Sequence, residues 1–176
     1  MIYKLKNSFF IVSTLLVLFA CEEKVEVMED EEKEQDKVAA FMFTKVEKWY
    51  SEDANLKIKM RAPLELVYQE NNVISEIVFP HGIKVSMYDE YGIRTTTLAA
   101  DSGRHIVRTE VFSAIGNVEV INYEQKQRVN SSILNWNKRT KEIYTDKKIK
   151  ITTPYETLEG FGMTSNEQFS KYKVWK

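Results

Sequence analysis

Few residues in this 176-residue chain could do chemistry, and their spacing gives none of them a partner. The two histidines, His81 and His105, sit in turn-like contexts: His81 lies between Pro80 and Gly82, and His105 follows Gly103-Arg104. Neither belongs to a His-x-His, HExxH or Cys-His pattern, so no metal site is expected. Gly160-Phe161-Gly162 is too short for a phosphate-cradling loop, and no helix period follows it to present N–H groups to an anion. It reads as a bulge or a close backbone approach. Acids are plentiful, but they cluster near the start or alternate outward along strands, so no acid/base pair stands out. No GxSxG or dinucleotide fingerprint occurs either. These residues point away from an enzyme and call for no cofactor.

The only cysteine, Cys21, has a different use. Before it come Lys4 and Lys6, an apolar run from Phe9 to Phe19, and Ala20. These eleven residues, mostly apolar, reach only about 16 Å as a helix, short of the roughly 30 Å hydrocarbon core. Leu18-Phe19-Ala20-Cys21 resembles a lipoprotein cleavage motif. That predicts a signal peptide over residues 1–20 and lipid attachment at Cys21, with several acyl chains holding the protein at a membrane.

Residues 22–37 carry nine acids against three lysines, a net of −6. Such a run cannot offset its ordering entropy, so residues 21–40 are expected to form an acidic tether ahead of a domain at 41–176. The remainder, 38–176, is close to +3, with cations scattered among acids. That balance disfavours nucleic acid as a partner.

The elements that must position any site are strands. Alternation by two runs through Ile83-Lys84-Val85-Ser86-Met87, Asn117-Val118-Glu119-Val120 and Ile149-Lys150-Ile151-Thr152. Turn signals recur at residues 52–55, 71–72, 80–82, 89–92, 101–103, 116–117 and 137–139. Only 38–42 could make a helical turn. The expected fold is all-β and antiparallel, a sandwich or barrel of short strands stacked into an elongated body. A weak internal repeat supports stacking: the stretch from Gly82 aligns with the stretch from Gly116 at a shift of about 35 residues, three strands in each. Alternation predicts that Ile83, Val85, Met87, Val118, Val120, Ile149, Ile151, Phe161 and Met163 point inward. They would line either a filled core or an apolar groove between splayed sheets, able to hold acyl chains.

Five stretches, YSEDANLKIKMRAPLELVY (50–68), FPHGIKVSMYDEYGIRTTTLAAD (79–101), GNVEVIN (116–122), LNWNKRTKEIYTDKKIKI (134–151) and LEGFGMTSNEQFSKYKV (158–174), resemble the LptC family in its lipoprotein-anchored form. That family is the periplasmic membrane-anchored component of the lipopolysaccharide export machine. The resemblance implies an OstA-like jellyroll, open along one side, that takes lipopolysaccharide from the permeases of an inner-membrane ABC transporter. It would pass the lipid, edge to edge, to a periplasmic bridge jellyroll. The implied location is the periplasm, anchored by lipid to the inner membrane. Residues 128–132 depart from the family's pattern before Leu134-x-Trp136. The other class the sequence admits is a surface lipoprotein whose β-domain binds protein or glycan, marked by an exposed stripe of Trp49, Trp136 and Trp175.

Overall fold

In a computed structural model that describes residues 38–175, eleven strands form one antiparallel sheet folded over on itself. They are β1 (Phe41–Glu52), β2 (Asn55–Glu70), β3 (Val73–Phe79), β4 (Ile83–Tyr88), β5 (Arg94–Ala100), β6 (Ser102–Ile106), β7 (Val111–Asn122), β8 (Gln127–Asn137), β9 (Glu142–Thr152), β10 (Thr157–Asn166) and β11 (Tyr172–Val174). The all-β fold expected from alternation, in the jellyroll form the resemblance implies, is what forms. The strands are longer than expected, with β2 running 16 residues, and 41–42 open β1 rather than a helical turn.

The length comes from bending. One edge of β2 pairs with β4 over Ile58–Arg61 and with β3 over Leu66–Glu70. Pro63 lies at the handover, where no ladder partner needs its missing N–H. One edge of β7 likewise serves β6 with residues 111–115 and β5 with residues 119–122. Between those halves Gly116 and Asn117 adopt positive φ, and the β7–β8 register shifts there. Residues 116–117 are therefore a bulge within one strand, not a turn between two. A side chain at 116 would put its Cβ 2.6 Å from the Asp101 carboxylate, so glycine is needed for space as well as for φ. Similar shifts interrupt β8–β9 and β9–β10. Together they crease the sheet into two facing layers.

The first layer holds the 55–61 end of β2, β4, β5 and the 118–122 end of β7, continuing through β8, β9 and β10. The second holds the other halves of those long strands with β3, β6 and β11. β1 runs the full length of β2 at one end of the stack. In the aligned repeat, β4 falls on the 118–122 end of β7 and β5 on β8. β8 makes in one piece the crossing that β5 and β6 make in two.

Candidate functional site

Inward side chains follow from the register. Across the first layer the row runs Met60, Val85, Leu98, Val120, Val129, Ile151 and Leu158. In the second layer Ile77 faces the same interior beside Val67, followed by His105, Phe112, Trp136 and Ile143.

Burial along these rows is lopsided. Val118, Val120, Ile149, Ile151 and Met163 are fully enclosed, packed with Val129, Leu134 and Ile143. On β2, β4 and β5 the inward Ile58, Met60, Val85, Met87 and Leu98 are only half-buried, although Ala62, Val67, Ile83 and Thr96 on the same strands are buried. On β1 the apolar inner face is exposed: Phe43, paired opposite the buried Glu65, is 51% exposed, and Phe41 and Tyr50 are similar. The two layers thus form a trough that is filled at the β7–β10 end and open at the β1 end.

The filled end has a stopper. The turn after β10 folds back over the interior and buries Phe169, which is 2% exposed and held at φ 54. Asn166 organises the turn by accepting the backbone N–H groups of Ser170 and Lys171. Glu167 accepts from the Trp136 indole at 2.9 Å, and Asn122 donates to the Gln168 carbonyl at 3.0 Å. Those last two bonds tie the turn to β8 in one layer and β7 in the other.

The open end carries one ion pair inside it. Lys48 reaches across the crease from β1 to Glu65 on β2, 2.6 Å from Oε1, and its Nζ lies 5.9 Å from the Phe79 ring centre. Glu65 is buried, and its Oε2 has no hydrogen-bond partner among the described residues. Farther along, His105, Phe112 and Trp136 stack across three strands at 3.8 and 5.0 Å. Burial holds the His105 imidazole below its ordinary range, and Lys138 and Lys48 add to the effect.

The structure divides the residues that alternation selects. Ile83, Val118, Val120, Ile149, Ile151 and Met163 belong to the filled core, where the protein's own side chains occupy the space. Val85 and Met87 face the open part. Phe161 does not point inward: it is 66% exposed and sits opposite the outward Lys148. The bulge at Gly162, φ 83, breaks the period of two, so Phe161 and Met163 fall on opposite faces. Cys21 lies outside the described residues. In the departing segment 128–132, Val129 points into the core and Arg128 outward. The inner face of β1, Leu98, the Lys48–Glu65 pair and Phe169 are absent from the sequence reading. Alternation in Ile58-Lys59-Met60-Arg61-Ala62 carries a signal for β2, whereas a plug set in a turn leaves no periodic trace. The tryptophans form no stripe: Trp49 points outward on β1, Trp136 inward on β8, and Trp175 follows β11 at the far end of the stack.

A trough of bent antiparallel strands, apolar within and open at one end, suits a chain that carries lipid. The family model for lipopolysaccharide assembly, LptC-related, matches residues 9–174. The chain belongs to the LptC-related family. No curated protein matches the sequence. Membership gives this LptC-related chain a part in lipopolysaccharide transport, with the lipid and the transporter as its general partners and the periplasmic side of the envelope as its setting. The family is a transport component. Among the described residues no cluster of His, Cys, Asp or Glu could hold a metal, and no helix is long and apolar enough to cross a membrane.

Proposed function

We propose that this LptC-related chain takes lipopolysaccharide from the permeases of an inner-membrane ABC transporter, shelters its acyl chains in the trough, and hands it to a periplasmic bridge jellyroll. The observation that carries this reading is the gradient of burial: Phe41, Phe43 and Tyr50 on β1, with Ile58, Met60, Val85 and Met87 on β2 and β4, face inward yet are left partly uncovered, while Val118, Val120, Ile149, Ile151 and Met163 are enclosed. Uncovered apolar surface costs about 25 cal/mol per Å² in water, so acyl chains lying against it stabilise the complex by that amount. The lipid-binding residues proposed are Phe41, Phe43, Ile58, Met60, Val85 and Met87. Ile83, Val118, Val120, Ile149, Ile151 and Met163 would come into contact with lipid only where the filled end opens.

Anchoring follows from Cys21: lipid attachment there, after removal of residues 1–20, would hold the chain at the inner membrane by an acidic tether. Docking follows from the edges. Among the described residues β1 pairs only with β2, which leaves its outer edge of 12 residues free to add a neighbouring jellyroll by strand pairing.

Photo-crosslinkers placed one at a time test the trough. Substitution at Phe43, Val85 or Met87 should capture lipopolysaccharide in cells, and substitution at the outward Ile121 or Lys150 should not. Equal capture at both sets would sink the reading.

A further inference from the structure

We propose that the outer surface of the first layer, behind the trough, carries a binding site for a phosphate group, centred on Lys84. Arg61 and Lys84 stand directly opposite one another on β2 and β4, and Lys59 lies two residues along the same outer face of β2. Like charges directly opposite on neighbouring strands are destabilising, so such a pairing needs an anion to offset it. The protein supplies only part of one. Glu47 is shared between Lys59 and Arg61, and that pairing holds its carboxyl below the ordinary range. Glu119, on the far wall, is taken up by Arg128. Lys84 itself is exposed and has no acidic partner among the described residues.

Space and donors complete the site. A hollow of about 350 Å³ opens over these cations, within the roughly 300–1,000 Å³ range of small-molecule sites. Ala99, beside Lys84 on β5, is too small to fill it. The hydroxyls of Ser86 and Thr97 line its side, and Arg94, stacked 5.2 Å over the Tyr123 ring, closes its lip. Two opposed cations with flanking hydroxyls match a phosphate dianion, which accepts several charge-assisted hydrogen bonds at once. The volume leaves room for a sugar attached to that phosphate. The site stands apart from the lipid trough, since Lys84 and its neighbours alternate with the inward Val85 and Leu98.

Calorimetric titration of the full chain with glucose 6-phosphate, with inorganic phosphate, and with phosphatidylcholine vesicles containing phosphatidylglycerol tests the site. Saturable binding of either phosphate is expected, weakened at least tenfold by Lys84→Gln. Lys150→Gln, on the same outer face beyond the hollow, should change it by less than twofold. Tighter binding of the sugar phosphate assigns the site to a phosphorylated headgroup, and equal binding assigns it to free phosphate; both outcomes uphold it. Without ligand, Lys84→Gln should melt no lower than the native chain, because the substitution removes a repulsion. Three results would overturn the proposal: no saturable binding of either phosphate, equal losses in the two variants, or binding confined to the vesicles.

Discussion

Glu65 and Lys48 put a charge pair inside the open end of the trough, and its two members differ in exposure. Glu65 is buried with one oxygen unpartnered, while about half of the Lys48 side chain stays in water. Removing the lysine strands a buried carboxylate. Lys48→Met should therefore lower the unfolding free energy by about 2 kcal/mol, less than the ~3–5 of a fully enclosed pair. Adding Glu65→Gln should recover most of that loss in a denaturant titration. If the double variant is no more stable than the single one, the carboxylate is not the source of the cost. His105 gives a prediction in pH. Its folded pKa is depressed, first by burial and then by Lys138 and Lys48, with Glu110 opposing. The unfolded chain thus binds the extra proton, and the stability His105 contributes is complete above about 6.5 and falls as pH drops toward the folded value. His105→Phe, which keeps the stack on Phe112, should flatten the loss of stability between pH 7 and 5 relative to the native chain. An unchanged pH slope would rule His105 out as its origin.

Among the elements, the turn after β10 decides how far the trough extends. Phe169 plugs the interior there, and a Phe→Ala change at a buried site costs about 3 kcal/mol. Phe169→Ala should lower the melting temperature accordingly and should also let a photo-crosslinker at Ile151, enclosed in the native chain, capture lipid. Lost stability without new capture at Ile151 would make Phe169 a core residue and nothing more. The strands themselves were readable from alternation wherever backbone period and burial agree, as in Ile83-Lys84-Val85 and Ile149-Lys150-Ile151. Gly160-Phe161-Gly162 reads as a bulge or a close backbone approach in the sequence and is both, but alternation does not say which residue is the extra one, and the bulge at Gly162 shifts the phase so that Phe161 turns outward. Residues 116–117 read as a turn for the same reason: a glycine at positive φ serves a hairpin and a bend equally well.

For the molecule as a whole, residues 37–176 form a compact unit with a core of their own. Produced alone, that segment should unfold in one cooperative step at the same denaturant midpoint as the chain beginning at Cys21. A lower midpoint for the shorter chain would mean that the acidic stretch contributes to the fold. The order of apolar and polar residues and the turn signals were enough to determine an all-β fold, because strand period and turn chemistry are local, whereas the LptC type rests on the resemblance of whole stretches. Which apolar residues are enclosed and which remain uncovered was decided only in the folded chain. Alternation tells which side of a strand a residue takes, but not how close the opposite layer stands. That distance depends on where Gly116, Pro63 and Gly162 crease the sheet and on Phe169 arriving from a distant turn to fill one end.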